Sequence, residues 1–123
     1  MLTAAMYCDR NTAAEREIRM HAAALYARAD WKWAQNGNLK VSHGWKPEEG
    51  FEKYVWEGYS EALILYILGL GAPAFPLPAE SYEAWTSSYE WKSLCGLEFL
   101  YAGPLFIHQL SHVWIDFRGI QDE

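Results

Sequence analysis

From Ala62 to Leu70 the chain is almost continuously apolar, and with Ser60 and Glu61 ahead of it the run reads as a helix that is hydrophobic nearly all round. A helix of that kind must be buried on most sides, so the rest of the chain has to supply packing faces around it. The run is too short to span a bilayer. At 123 residues the chain falls in the size range of one domain, and a 51% hydrophobic content is far from a disordered composition. The aromatic load is the unusual part. Seven tryptophans cannot all be central in a small core, so some are expected in a cleft or an interface. There an indole face offers a flat apolar platform to the C–H groups of a pyranose; the plainer alternative is a tryptophan-rich helical core.

A net charge of −6 argues against a nucleic-acid partner, and no lysine follows Lys92, while the only later arginine is Arg118. Cys8 and Cys95 have neither metal-type nor redox-type spacing and fit either buried free thiols or one disulfide. No basic n-region of a signal peptide is seen at the N-terminus.

Residues 2–8 read as the end of an apolar helix. Asn11 or Thr12 is positioned to cap a second helix running from Ala13 to about Gln35, with Ile18, Ala22, Leu25 and Ala29 on one side and Glu15 and Glu17 at its positive end. Asn36-Gly37-Asn38 ends it. Residues 36–55 read as a long connection, of the kind that often carries function. A third helix runs from about Trp56 or Ser60 to Leu68, stopped by Gly69 and Gly71. Pro73, Pro76 and Pro78 stiffen a linker, and a short helix follows from about Ala79 to Tyr89. Residues 97–101 are open between strand and extended loop. Pro104 opens the last helix. The expected fold class is all-α, built of helix–loop–helix pairs.

In the last helix His108, His112 and Asp116 recur every four residues and form one stripe, with Gln109 and Ser111 beside it. A solvated face would usually carry Lys and Glu; this stripe suggests a polar wall inside a cleft. Plain structural hydrogen bonding competes with that reading. A metal site on His108 and His112 is the less favoured alternative, because the segment lacks the glutamate of the zinc-protease motif and a third ligand would have to be Asp116 or come from elsewhere. Arg118 is placed either to pair with Asp116 or to hold it in position. Glu61 is the sharpest catalytic candidate: at the start of an apolar helix the dipole favours its anion, whereas burial favours its proton-carrying form, so it could serve as a general acid. A helix-start glutamate paired with a cation or with backbone N–H groups is the structural alternative.

Three blocks, His43-Gly44-Trp45-Lys46-Pro47, Trp56-Glu57-Gly58-Tyr59-Ser60-Glu61 through Tyr66, and Gly103-Pro104-Leu105-Phe106 through Ser111-His112-Val113-Trp114-Ile115-Asp116-Phe117-Arg118-Gly119, resemble the bacterial glycoamylase-like domain family. That family includes endo-β-1,2-glucanases and a domain of cyclic β-1,2-glucan synthases. The likeness implies a partial (α/α)₆ toroid of helical hairpins around a sugar cleft, with residues 1–123 as its central portion. It implies hydrolysis of β-linked glucan in the periplasm or outside the cell. Glu61 matches an acidic position that lines the family's cleft. His43, Trp45, Tyr59, His108, Gln109, His112, Trp114, Asp116 and Arg118 are the expected substrate-binding residues. The expected partners are an oligo- or polysaccharide and the flanking parts of the toroid, with no nucleic acid, no cofactor and no metal. The family's Asp-x-x-Glu motif would precede Met1, and its further helices would follow Gln121-Asp122. A non-catalytic carbohydrate-binding domain is the alternative from a different class.

Overall fold

A computed structural model describes residues 1–120; Gln121 and Asp122, where the resemblance places the continuation of the family fold, lie outside the described residues. In chain order the elements are helices α1 (Leu2–Tyr7), α2 (Ala13–Ala27) and α3 (Trp31–Ala34), strands β1 (Trp45–Lys46) and β2 (Gly50–Phe51), helices α4 (Leu63–Leu70) and α5 (Glu80–Thr86), strands β3 (Glu90–Leu94) and β4 (Leu97–Tyr101), and helix α6 (Phe106–Trp114). Helices dominate, but the chain is not all-α. The stretch left open at 97–101 is the second strand of an antiparallel hairpin in which Glu90 pairs with Tyr101 and Leu94 with Leu97. Cys95 and Gly96 both take positive φ, 53° and 76°. A two-residue turn of that shape matches strand twist and closes the hairpin tightly. Both cysteines are free thiols.

The expected helix from Ala13 to Gln35 is two helices. Thr12 caps the first, its hydroxyl accepting from the Glu15 N–H at 3.3 Å. Asp30 is extended, and its carboxylate accepts from the Trp33 N–H at 2.9 Å. That local bond restarts the helix after a break, which is what an aspartate at a cap position does.

The apolar run folds into a helix as expected, though it starts three residues after Ser60, with Leu63, Tyr66 and Gly69 buried and Ile67 exposed. Gly69 does not stop it. A Cβ on Gly69 would lie 2.5 Å from Leu77 Cδ1 and 3.2 Å from Trp31 Cε3, so the glycine sits inside α4 because other chain segments pack directly onto its backbone. Gly71 is the C-cap. Around α4 the core consists of Val41, Ala62, Leu63, Tyr66, Leu77 and Trp85. Trp85 and Tyr66 are fully buried and stacked, with centroids 5.0 Å apart. Polar ties fix the surrounding pieces: Tyr26 on α2 donates to the Leu68 carbonyl at 2.6 Å, and the buried Gln35 amide donates to Leu39 O at 2.7 Å and Ser81 Oγ at 2.8 Å.

The connection expected at 36–55 is largely an antiparallel arm. Ser42 bridges Val55, and beyond it Trp45 pairs with Phe51 and Lys46 with Gly50. The register steps by one between these pairs, so the returning side carries one extra residue near Glu52–Lys53, a β-bulge. At the base of the arm Trp56 N–H donates to Val41 O at 2.8 Å. The return bond of that pair runs through a side chain: Val41 N–H donates to the Tyr66 hydroxyl at 3.2 Å, and the hydroxyl donates to Trp56 O at 2.8 Å. A buried phenol from α4 is thus inserted into the ladder.

Other apolar surface is not covered. On α2 only Ala22 of the expected stripe is buried, while Ile18 and Leu25 are exposed, and on the β3–β4 hairpin Trp91, Leu94 and Leu97 are exposed.

Candidate functional site

Glu61 lies in the turn that feeds α4. Gly58, at φ 70°, bends the chain there, and its N–H donates to Trp85 O at 3.0 Å. Ser60 secures the turn through its hydroxyl, which accepts from Ala62 N–H at 3.2 Å, and its carbonyl, which accepts from Leu63 N–H at 3.3 Å. Because α4 begins at Leu63, Glu61 precedes the first helical turn rather than occupying it. Neither Ser60 nor Glu61 caps the helix: Ala62 is the N-cap and no side chain bonds there, so Ser60 only braces the turn ahead of it. The Glu61 carboxylate is half-buried, and among the described residues it has neither a hydrogen bond nor an ion pair. It is therefore not consumed by the pairing expected of a structural helix-start glutamate.

The residue two before it is fixed to the last helix. The Tyr59 hydroxyl donates to Ser111 Oγ at 3.0 Å, and Ser111, buried in α6, reaches the Ile107 carbonyl at 3.5 Å. The Tyr59 ring stacks on His108 with centroids 5.0 Å apart and planes 26° apart. It also meets Tyr89 edge-on and lies 6.4 Å from Trp85. Tyr59 and His108 are thus brought together, with Glu61 on the same turn as Tyr59. Behind Tyr59 a 340 Å³ groove is lined by Glu57, Glu90 and Tyr101, where Glu57 is already paired with Lys40 at 2.5 Å.

The expected four-residue stripe holds for His108 and His112 but not for Asp116. Helix α6 ends at Trp114, and Ile115 is extended at φ −124° and ψ 128°, so Asp116 leaves the helical face. His112 packs edge-on against Phe117 with centroids 4.7 Å apart, while His108 faces Tyr59. The two imidazoles thus serve different aromatic partners, and among the described residues no group of three or more His, Cys, Asp or Glu is placed to hold a metal. His112, Trp114, Asp116, Phe117 and Arg118 line an open groove of 690 Å³. Within it Arg118 grips Asp116 with both ends of its fork, Nε to Oδ1 at 2.8 Å and Nη2 to Oδ2 at 2.6 Å, and adds its backbone N–H at 3.1 Å. These bonds, the side-chain ones first, hold the Asp116 carboxyl below its ordinary range and so keep it anionic. Gln109 is exposed on α6.

His43 and Trp45 occupy the arm instead. His43 lies over Trp56 at 4.2 Å between centroids. Trp45 pairs across the hairpin with Phe51, and Trp33 of α3 packs against both. A cavity of 760 Å³ lies between α1, α2, α4 and Trp114. Leu2, Met6, Ala22, Ile64 and Leu68 make its lining overwhelmingly apolar, which suits packing rather than recognition of hydroxyl groups.

Sequence reasoning missed Tyr66, the contact of Trp33 with Trp45 and the role of Ser111. Ser111 had a signal, a small polar residue on the inward side of an amphipathic helix. Tyr66 looked like one more apolar position. The cluster Asp30-Trp31-Lys32-Trp33 groups aromatics with polar donors, so Trp33 had a signal, but its contact with Trp45 had none.

Comparison with known proteins bears on this geometry. The glycoamylase family model, described as "Putative glucoamylase", matches residues 53–123. An exo-β-1,2-glucooligosaccharide sophorohydrolase (non-reducing end) of Parabacteroides distasonis is 24% identical over 95 residues, which take up 74% of this chain and 13% of that protein. A solved "putative glucoamylase" of Bacteroides fragilis superposes with a TM-score of 0.86 at 29% identity, covering 99% of this chain and 32% of that one. An endo-β-1,2-glucanase of Chitinophaga pinensis, solved with sophorotriose and glucose, superposes with a TM-score of 0.79 at 25% identity, over 98% and 32% of the two chains. The chain thus spans about a third of the length of these solved relatives.

Proposed function

The chain belongs to the glycoamylase family, and from that premise we propose that it is the central portion of an (α/α)₆ toroid that hydrolyses β-linked glucan, with β-1,2-linked chains as the substrate class. The observation that carries the reading is the state of Glu61. It is a half-buried residue whose carboxylate is unpaired among the described residues, on a turn that the Ser60 hydroxyl braces and that the Tyr59–Ser111 hydrogen bond ties to α6. A group so fixed and so unengaged is available to a ligand. Relatives that act on β-1,2-glucooligosaccharides, one solved with sophorotriose, support the substrate class.

Glycoside hydrolysis requires one carboxylic acid to protonate the departing oxygen, while a second carboxyl group attacks the sugar or activates water. In the proposed mechanism Glu61 is the group that delivers a proton to the glycosidic oxygen as the C–O bond breaks. Asp116 is unsuited to that step, because Arg118 keeps it ionised; it accepts hydrogen bonds from sugar hydroxyls instead. The second carboxyl group comes from the remainder of the toroid, which acts in the periplasm or outside the cell. His43, Trp45, Tyr59, His108, Gln109, His112, Trp114 and Arg118 shape the subsites, with Tyr59 and His108 acting as one stacked unit.

The test is hydrolysis of linear β-1,2-glucan by the complete toroid with and without Glu61→Gln. Loss of an acid/base group lowers turnover by about 10²-fold or more. Turnover close to wild type in the variant would refute the role of Glu61. A non-catalytic sugar-binding domain is the second reading, favoured by the exposed aromatic rings of the arm; it requires that sugar binding survive in Glu61→Gln and that the wild type show no turnover.

A further inference from the structure

Trp33 and Trp45 are twelve residues apart in sequence, and each leaves about half of its surface open, 52% and 47%. Their ring centroids are 5.9 Å apart, with planes inclined by 60°, so they form an angled notch rather than a flat stack. Phe51 forms its floor. It lies 4.7 Å from Trp33 and is the cross-strand partner of Trp45, so the hairpin presents both rings on one face. Gly50, at φ 76°, makes the turn that returns Phe51 to that position.

We propose that Trp33, Trp45 and Phe51 form a sugar-stacking subsite that takes one or two neutral glucosyl units. The size of the patch fits that occupant. A tryptophan offers about 150–250 Å², so two half-open indoles expose about 200 Å², well below the roughly 800 Å² per partner that a stable protein interface uses. The charge of the rim fits as well. Lys46 on β1 lies 3.4 Å from Glu49 and 3.6 Å from Glu52, so the charges the hairpin carries there are of both signs and paired with each other. Such a border, on a chain of net charge −6, repels nucleic acid and phosphate yet still offers hydrogen bonds to hydroxyl groups. Apolar ring faces with a polar border match the two kinds of surface on a pyranose: C–H groups on its faces, hydroxyls at its edge. Trp33 is the new element, and its role rests on the glucan reading above.

The test is calorimetric or NMR titration of the complete toroid that contains this chain with sophorotriose, cellotriose and laminaritriose, for wild type and for Trp33→Ala, Trp45→Ala and Trp91→Ala. Trp91 is the control, a somewhat more exposed indole on β3 with no ring contact to Trp33, Trp45 or Phe51. The expected result is a loss of affinity of about fivefold to tenfold in each notch variant and less than twofold in the control. Near-ultraviolet circular dichroism checks folding, and Trp33→Phe, which keeps a ring against Phe51, should give a smaller loss in the same direction. Unchanged affinity in Trp33→Ala overturns the subsite, as does absence of binding to all three sugars. Trp33-dependent binding of cellotriose or laminaritriose but not sophorotriose keeps the subsite and removes the β-1,2 assignment. Loss of turnover in Glu61→Gln is read separately, so either claim can fail alone.

Discussion

Replacing Tyr66 with Phe removes one oxygen and opens the base of the arm. That oxygen accepts from Val41 N–H at 3.2 Å and donates to Trp56 O at 2.8 Å. Val41 is 3% exposed, so its N–H would be left buried without a partner, at about 1–3 kcal/mol. Trp56 is only half-buried, and the bond lost at its carbonyl adds about 0.5–1.5 kcal/mol. The expected destabilisation is about 1.5–4.5 kcal/mol, a large part of the ~5–15 kcal/mol of a whole domain. Urea unfolding of wild type and Tyr66→Phe measures it, and amide exchange of Val41 localises it. The competing outcome is relaxation. If the two arms close by the width of the lost hydroxyl, Val41 N–H can bond Trp56 O directly and restore an ordinary antiparallel pair. A loss below about 0.5 kcal/mol with a protected Val41 amide would refute the wedge argument. The same phenol sets an alkaline limit. Burial, aided by Glu57 and opposed by the Val41 hydrogen bond, raises Tyr66 above its ordinary 10.0. The unfolded chain then loses its proton first, so the stability this group contributes is full below about pH 10 and falls as pH rises through the folded value. Tyr66→Phe should remove that component of the alkaline transition.

Four other outcomes are expected. Gly69→Ala should destabilise by about 1–3 kcal/mol in thermal unfolding, because the new methyl meets Leu77 at 2.5 Å; a stabilisation of about 1 kcal/mol, as helix propensity alone gives, would contradict the packing seen. Trp85→Ala removes a fully buried ring stacked on Tyr66 and should cost about 3–5 kcal/mol, read as loss of a cooperative urea transition and uptake of a hydrophobic dye. Arg118→Ala should raise the Asp116 carboxyl toward about 3.9 in an NMR titration. Since the folded value lies below the unfolded one, any stability from this pair is present above about pH 3.9 and is lost as pH falls through the folded value; an unmoved Asp116 would mean that the fork does not persist in solution. Ser111→Ala leaves the Tyr59 hydroxyl without its partner, so it should weaken sugar binding more than it alters the urea midpoint if the tie positions the Glu61 turn.

Much of the local structure was legible in the chain. The Thr12 cap, the turn at Asn36 and Gly37, the buried run after Ala62 and the last helix all follow from bonds or burial patterns within a few residues. The break at Asp30 and the late start of α4 were missed, because a cap bond from Asp30 and a turn held by Ser60 outweigh hydrophobic periodicity there. The β3–β4 hairpin was half seen. Its turn depends on Cys95 adopting positive φ, which a non-glycine residue rarely signals.

For the candidate site the division is sharper. The sequence alone determined which residues carry usable chemistry: a lone carboxylate beside an apolar run, imidazoles four apart, an Asp and an Arg two apart, and more indoles than a small core can hold. Tertiary structure decided which of them work together. It took Asp116 off the helix and locked it to Arg118, gave the two histidines different partners, left Glu61 unpaired among the described residues, and set Trp33 beside Trp45. The physical reason is that helical periodicity fixes neighbours only while the helix lasts. Contacts across a bulged arm or between α4 and α6 depend on register and packing, which no local spacing encodes.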